Sequence, residues 1–249
     1  MKDSQEYKNK KKFFDSVITL YGRNVVVEVL EDMNVKIHRL HMSESNQIDG
    51  AIKKINALAK TRGIEILMHD KKSLSRISKN SKQDQGVAID IVTKTYKSAD
   101  DIKDMESYKL IALDGIQNPQ NLGMIIRSCA AGFIDGIILP KKSSAKISPL
   151  VMKASAGTLF KLPIYYCNSL EDVFDGLDAD IYTLSSHAQN SIYDIKLSKK
   201  SIFVLGNESE GVSKEVNELC TKSISIPMQR GVESLNVAVT ASLIAFIKF

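Results

Sequence analysis

The residues best suited to chemistry lie in three polar loops, which span residues 117–127, 206–211 and 229–233. Two of these loops follow apolar runs, residues 202–205 and 224–228, and such runs predict buried strands that end in turns. The loops after parallel strands meet at the carboxyl edge of a sheet, where α/β proteins usually bind their ligands. We therefore expect the three loops to form one site at that edge.

The chemistry open to these loops is limited by what they lack. They contain no Cys–His pair, no Ser–His–Asp set and no paired acids suited to covalent hydrolysis or glycoside cleavage. The sequence also has no GxGxxG motif, and residues 206–211 lack the Lys-Ser/Thr of a phosphate-binding loop. Two acids stand there where phosphates would bind. A nucleotide-dependent dehydrogenase is therefore disfavoured, and an uncharged or cationic adenosine ligand suits the loop better.

Strands alternate with helices through residues 109–249, with one strand expected at 180–184, which predicts an α/β fold with a mostly parallel sheet. A helix is expected to begin at Asn121, a good N-cap residue, because apolar residues repeat at helical spacing from there to Ala130. Arg127 lies off this apolar stripe. Its side chain is therefore expected to reach towards the loops instead of being buried.

The end of the chain is predicted to contain one more strand and one more helix. The strand covers residues 223–228, and Ser234 is expected to cap the terminal helix that follows the third loop. Several apolar residues of this helix recur at helical spacing and point one way. These residues are Leu235, Val239, Leu243 and Phe246.

Charge is distributed unevenly along the chain. Residues 1–98 contain 19 Lys/Arg and 12 Asp/Glu, whereas residues 99–249 contain 15 and 17. The positive excess indicates either contact with a polyanion such as nucleic acid or a solvated lysine-rich surface. We expect four segments: a basic tail at 1–16, a small α/β domain at 17–92, a linker at 93–106 and a second domain at 107–249.

The cysteines and histidines indicate neither a disulfide framework nor a metal site. The cysteines Cys129, Cys167 and Cys220 are far apart and odd in number, which is typical of a reducing compartment. No apolar run has the length of a membrane span, and the first residues lack the apolar core of a secretory signal. We therefore expect a cytoplasmic protein without a bound metal and without membrane attachment.

Three motifs occur in order in the second domain. Residues 118–127 read Asn-Pro-Gln-Asn-Leu-Gly-Met-Ile-Ile-Arg, and residues 205–211 read Leu-Gly-Asn-Glu-Ser-Glu-Gly. Ile-Pro-Met at 226–228 is followed by Ser-Leu-Asn-Val-Ala at 234–238. This set resembles the three motifs of the SpoU (TrmH) family of RNA ribose 2′-O-methyltransferases, which belongs to the SPOUT class. The resemblance covers residues 107–249.

The first domain also resembles part of that family. Its Tyr21-Gly-Arg-Asn and Gln85-Gly-Val-Ala segments are similar to the substrate-binding domain of members that modify ribosomal RNA. Many relatives have His before the Gln-Gly-Val segment, whereas this chain has Asp84. The difference is expected to alter local packing or RNA contact.

The resemblance implies a parallel sheet whose carboxy-terminal segment forms a trefoil knot. It also implies bound S-adenosylmethionine and a homodimer whose active site uses both subunits. The implied cofactor-binding residues are Leu205, Gly206, Ile226, Met228, Leu235 and Asn236. The implied catalytic and substrate-binding residues are Asn121, Arg127, Glu208, Ser234 and Asn236. In the family the equivalent of Arg127 is often assigned as the base for the 2′-hydroxyl, and clamping a phosphate suits its bidentate geometry equally well.

The implied function is S-adenosylmethionine-dependent methylation of a ribose 2′-hydroxyl in structured RNA, with a guanosine of 23S rRNA as the expected substrate. A tRNA substrate is the alternative within the family. A non-catalytic RNA-binding or ribosome-assembly factor on the same fold is the alternative from another class. The presence of Asn121, Arg127, Glu208 and Asn236 favours the enzyme, because a binding-only relative would not need them.

Overall fold

Two structural units divide the chain, Met1–Lys94 and Thr95–Phe249. The computed structural model describes residues 17–33, 35–92 and 96–248. The basic tail predicted at residues 1–16 lies outside these ranges. In the described part of the chain, no helix is long and apolar enough to cross a membrane.

The first unit is a four-stranded mixed sheet with three helices. Its strand order is β1-β4-β2-β3, in which β2 and β3 are parallel and the other pairs are antiparallel. The strands are β1 (Val17–Tyr21), β2 (Lys36–Ser43), β3 (Ile66–His69) and β4 (Val87–Val92). The helices are α1 (Arg23–Glu31), α2 (Gly50–Thr61) and α3 (Lys71–Ser78). Asp49 and Asp70 cap α2 and α3 by accepting backbone N–H groups of the first turn.

The two sequence motifs of the first unit meet at one junction. The Arg23 backbone N–H donates to Gln85 Oε1 at 2.9 Å, and Arg23 Nε donates to the Gln85 carbonyl at 3.1 Å. Asp84 is buried beside them, where its carboxylate accepts from Ser78 Oγ at 2.9 Å and from the Gly86 N–H at 3.0 Å. The aspartate that replaces the common histidine therefore ties the end of α3 to the start of β4.

The second unit is a seven-stranded sheet in which every described strand pair is parallel. Its strand order is β11-β9-β10-β6-β7-β8-β5. The strands are β5 (Tyr96–Ser98), β6 (Tyr108–Leu113), β7 (Gly136–Pro140), β8 (Ile164–Cys167), β9 (Asp180–Leu184), β10 (Lys200–Leu205) and β11 (Lys222–Ile224). The helices are α4 (Pro119–Ala131), α5 (Pro149–Ser155), α6 (Leu170–Phe174), α7 (Lys214–Glu218) and α8 (Val237–Phe246), with 3-10 turns at Ala99–Ile102 and Thr158–Phe160.

Part of the predicted linker at 93–106 is structured, so that prediction was wrong for residues 96–102. The β5 strand pairs in parallel with β8, and the 3-10 turn after it buries Ala99 and Ile102 in the core of the second unit. The polar and acidic residues around these two apolar residues led to the linker prediction. Residues 96–102 are structured because the apolar pair is buried against the sheet.

Two predicted helix starts and one strand end were also wrong. Helix α4 begins at Pro119 with Asn118 as its cap, because proline needs no N–H partner in the first turn and Asn118 Oδ1 accepts from the Gln120 N–H at 2.8 Å. Helix α8 is capped by Asn236 and not by Ser234. The last strand ends at Ile224, so residues 225–228 are loop. The caps of α4 and α8 are therefore Asn118 and Asn236, where the sequence predicted Asn121 and Ser234.

Helix α4 is the element that positions the candidate site. Its predicted stripe is buried: Leu122, Ile125, Ile126 and Cys129 are each 0% exposed. Gly123 allows α5 to approach closely, since a Cβ at that position would lie 2.5 Å from Ala154 Cβ and 2.6 Å from the Val151 carbonyl oxygen. On its other side α4 packs against α8, where Ser128 Oγ and Ser242 Oγ are 2.7 Å apart.

Candidate functional site at the carboxyl edge of the sheet

The loops after β6 and β10 are held together at the carboxyl edge of the seven-stranded sheet. These two strands are neighbours, and the Asp114 N–H donates to the Leu205 carbonyl at 2.8 Å, which extends their pairing. Asn207 Nδ2 then donates to the Gly115 carbonyl at 3.0 Å, and the Ser213 N–H donates to Asp114 Oδ2 at 2.7 Å. The prediction that these loops share one edge is confirmed.

The loop after β10 folds back on itself at Gly206. Asn207 and Gly211 exchange two backbone hydrogen bonds of 2.9 Å, which close a tight turn. A Cβ at Gly206 would lie 2.0 Å from the Gly211 carbonyl carbon and 2.2 Å from the Val212 nitrogen. The absence of a side chain at Gly206 is therefore required by the turn itself, before any ligand is considered. Leu205 is buried in the core beneath this turn.

A chain of side-chain hydrogen bonds joins the three sequence motifs. Asn121 Nδ2 donates to Glu208 Oε1, and Asn236 Nδ2 donates to Asn121 Oδ1 at 3.3 Å. The second amide oxygen, Asn236 Oδ1, accepts from the Ala238 N–H at 2.9 Å and so caps α8. Asn121 is 6% exposed, whereas Glu208 is exposed. The buried carboxamide therefore fixes a carboxylate that faces solvent.

The structure brings together three of the five predicted catalytic residues, Asn121, Glu208 and Asn236. Arg127 is not among them. It is exposed on α4 six residues after Asn121, which places it about 9 Å further along the helix axis and about 240° around it. Within the described residues its guanidinium has no hydrogen-bond or ion-pair partner. Ser234 is exposed and lies in the loop that precedes α8.

A cavity of about 140 Å³ lies beside this network, at the ends of β9 and β11. Of the predicted cofactor residues, Ile226, Met228 and Leu235 line it, and Ser234 joins them. Leu205 and Gly206 are not part of its lining, and Asn236 belongs to the hydrogen-bonded network instead. The complete lining is Leu184, Ser185, Ser186, Ile226, Met228, Glu233, Ser234, Leu235 and Thr240.

Residues 184–186 also line this cavity and were not predicted as site residues. The strand before them was predicted at 180–184, and its carboxyl end lies at the same edge as the other loops. That position in a parallel sheet was the available signal, because the loop residues themselves are two ordinary serines.

The cysteines of the second unit are not suited to nucleophilic chemistry. Burial raises the pKa of Cys129 and of Cys167 to about 12, and that of Cys220 to about 11. A thiol with such a pKa is protonated at neutral pH, and the thiolate is the reactive form. Among the described residues, no group of three or more His, Cys, Asp or Glu side chains is arranged to hold a metal ion.

Residues 108–246 match the SpoU rRNA Methylase family. Residues 19–97 match the domain described as RNA 2′-O ribose methyltransferase substrate binding. The first match covers more than half of the chain and contains the network and the cavity. The chain therefore belongs to the SpoU family of methyltransferases.

Similar proteins agree with this assignment. A protein of Mycolicibacterium gilvum, described as an uncharacterized tRNA/rRNA methyltransferase, is 32% identical over 242 residues, which are 94% of this chain and 76% of the relative. The fold is shared with the SpoU methyltransferase AviRb of Streptomyces viridochromogenes in complex with AdoMet (TM-score 0.70, 21% identity, 98% of this chain and 91% of that one). It is also shared with an AdoMet-bound rRNA methyltransferase of Sinorhizobium meliloti (TM-score 0.66, 23% identity, 97% and 88%).

Proposed function

We propose that this chain transfers the methyl group of S-adenosylmethionine to a ribose 2′-hydroxyl of structured RNA, at a guanosine of 23S rRNA. The observation that carries the proposal is the Asn121–Glu208–Asn236 network, because it joins three motifs that are far apart in sequence and lies beside a cavity. The rRNA and AdoMet in the descriptions of the similar proteins support the substrate and the cofactor.

The cavity residues fit S-adenosylmethionine. Ile226, Met228 and Leu235 offer apolar surface for the adenine ring, and Leu235 is 36% exposed, so a ligand would cover it. The acidic Glu233 suits the cationic end of the cofactor. At about 140 Å³ the cavity holds only part of such a ligand, and the remainder would lie along the loops that border it. When bound, the cofactor supplies an electrophilic methyl group on a sulfonium.

The network residues would hold the ribose for in-line attack. Asn236 fixes Asn121, and Asn121 fixes the Glu208 carboxylate, which can accept a hydrogen bond from a ribose hydroxyl. Such fixed geometry contributes a large share of the rate in transfer reactions. We assign Arg127 to the substrate phosphate and not to proton removal, because a guanidinium offers only hydrogen-bond donors and its planar fork suits bidentate phosphate binding.

We propose that a second copy of the chain completes the site. Helix α8 is apolar on all sides, and two residues of its predicted row are exposed: Val239 is 48% and Phe246 is 55% accessible. An apolar helix of this kind is normally covered. Met124, on the adjoining α4, is 41% exposed. Because Arg127 lies away from Asn121 on its own helix, the partner's α4 is the proposed source of the arginine. We also propose that the segment through residues 225–236 forms the trefoil knot of this class.

Mixing two inactive variants tests the shared site. Arg127→Ala and Glu208→Ala subunits, co-refolded in equal amounts, would form heterodimers in half of the molecules. Each heterodimer would contain one site with both native residues, so about one quarter of wild-type activity should return by the 1:2:1 statistics of closed two-fold dimers. No recovery, with heterodimers verified by mass, would mean that Arg127 and Glu208 act in the same subunit.

We assign RNA binding to the first unit (17–92) and methyl transfer to the second (107–249). Residues 71–83 carry Lys71, Lys72, Arg76, Lys79 and Lys82 without an acidic residue, and all five are exposed. Other cations of this unit have internal roles. Arg62 donates to the carbonyls at the end of α1, and Lys54 pairs with Glu31 at 2.6 Å. The α3 row is therefore the proposed contact for RNA phosphates.

The substrate is tested with labelled S-adenosylmethionine and total RNA that lacks the modification, followed by nuclease mapping. Label in a 2′-O-methylated guanosine of 23S rRNA is the expected result, in keeping with a cytoplasmic site of action. Label in tRNA would keep the reaction and overturn the substrate. Measurable cofactor binding without any label, on naked RNA and on ribosome precursors, would favour a non-catalytic assembly factor.

A further inference from the structure

The loop after β7, residues 141–148, places exposed lysines near the candidate site. Lys141, Lys142 and Lys146 are exposed in it, and Lys153 is exposed on the helix that follows. No Asp or Glu occurs between Asp135 and Glu171. This stretch stands out because residues 99–249 as a whole contain more acids (17) than Lys and Arg (15).

The β7 loop is attached to the loops that form the network. The Ala145 N–H donates to the Ile116 carbonyl at 2.7 Å, and Gly115, next to Ile116, accepts from Asn207 at 3.0 Å. The β7 loop is therefore bonded to the β6 loop, and the β6 loop is bonded to the β10 loop, which carries Glu208. The close packing of α5 on α4 at Gly123 fixes the other end of the β7 loop against the helix that carries Asn121.

The lysines lie on one side of the network along the carboxyl edge. Strands β9 and β11, with the cavity, lie on one side of β10 and β6, and β7 lies on the other. The network of Asn121 and Glu208 is in between. A polyanion suits the lysine side, whereas the loop on the cavity side exposes one acid and one base, Glu233 and Arg230.

No ion pair within the described ranges neutralises these lysines. Flexible ammonium groups suit phosphates as point charges and do not select a base. We infer that Lys141, Lys142 and Lys146 bind the RNA phosphates adjacent to the target nucleotide and so deliver its ribose to Glu208. This inference rests on the proposed function and names the path by which the RNA strand reaches the site.

The chain offers a matched control at the opposite edge of the same sheet. Lys196, Lys199 and Lys248 are also exposed, and they line a cleft at the amino edge, where the strands begin. The Lys141→Gln, Lys142→Gln, Lys146→Gln triple variant and the Lys196→Gln, Lys199→Gln, Lys248→Gln control lose the same charge. Unchanged S-adenosylmethionine affinity in both variants would show that the carboxyl edge remains folded.

The test measures both binding and turnover with unmodified 23S rRNA transcribed in vitro. For the β7-loop variant we expect the Kd and KM for RNA to rise about 10- to 100-fold, with kcat within about twofold. The slope of log Kd against log salt should also fall by about 2, since each lost phosphate contact removes about 0.7–0.9 from it. The control should lose little affinity.

Equal losses in the two variants, or a fall in kcat with unchanged KM, would overturn the inference. If the wild type binds this RNA without methylating it, the proposed function fails. The binding comparison between the two variants would still decide whether the β7 loop holds the RNA.

Discussion

At the carboxyl edge of the seven-stranded sheet, Asn121, Glu208 and Asn236 bond to one another, whereas at the amino edge Lys109 and Asp135 bond to the backbone. The Lys109 N–H donates to Asp135 Oδ2 at 2.8 Å, and Lys109 Nζ donates to the Ile247 carbonyl at 2.9 Å. Lys109 and Asp135 therefore complete strand and helix ends, and at the start of β11 and β9 Lys222 pairs with Asp180 at 2.6 Å. The three carboxyl-edge side chains come from three separate loops and leave the Glu208 carboxylate exposed.

The two edges also differ in the size of their cavities. The amino-edge cleft is about 750 Å³, compared with about 140 Å³ beside the network. The three motifs within the family match meet in the network, beside the smaller cavity. In this protein the convergence of side chains from separate segments indicates the site better than the volume of a cleft does.

The largest expected effect is on turnover, from removing one carboxylate at the carboxyl edge. Glu208→Gln should lower kcat about 10²- to 10⁴-fold, because the exposed oxygen would lose its charge while the bond from Asn121 could remain. Asp194→Asn makes the same chemical change at the amino-edge cleft and should leave kcat unchanged. Initial rates with saturating RNA measure both, and an equal loss in the two variants would remove the distinction between the edges.

An intermediate effect is expected where α5 approaches α4. Gly123→Ala should lower the free energy of unfolding of the second unit by about 1–3 kcal/mol, since its Cβ would lie 2.5 Å from Ala154 Cβ. It should also raise the KM for RNA by displacing the β7 loop. Gly50→Ala, in α2 of the first unit, meets no atom within 4 Å and should be neutral or stabilising by about 0.4–1 kcal/mol. Denaturant titration followed by hydrogen exchange in each unit would separate the two.

The smallest effect on activity is expected at Lys109 of the amino edge. Burial lowers its pKa from 10.5 to about 8. Between these values the unfolded chain holds the proton more often than the folded one, so this lysine makes stability rise with pH from about 8 to about 10.5. Lys109→Met should remove that rise and leave methyl transfer unchanged. If the free energy of unfolding changes with pH by the same amount in wild type and variant across this range, the assignment is contradicted.

Periodicity predicted most of the frame that holds the site. The β9 strand begins and ends at the predicted residues, Asp180 and Leu184, and the buried stripe of α4 is the predicted one. Both signals depend only on the spacing of apolar residues. The three-residue β5 and the seven-residue α5 gave no comparable pattern, because neighbours distant in sequence stabilise them.

The motifs of the site could be recognised in the sequence, whereas the contacts between their side chains could not. Asn118 and Asn121 are both good helix caps, and only the position of Pro119 in the first turn decides between them. The bonds that join Asn121 to Glu208 and to Asn236 span 87 and 115 residues of chain, beyond the reach of any local rule. The exposure of Arg127 was predicted, and its separation from Asn121 follows from the six helical residues between them.

Whether the chain methylates RNA at a site that uses Arg127 is tested most directly by label transfer from S-adenosylmethionine to unmodified rRNA. The measurement compares wild type with Arg127→Ala. Calorimetry on the same preparations would measure cofactor affinity. We predict that the variant transfers no detectable label and binds S-adenosylmethionine with near wild-type affinity, because Arg127 is assigned to the substrate phosphate and does not line the cofactor cavity. Undiminished transfer by the variant would contradict the proposed site.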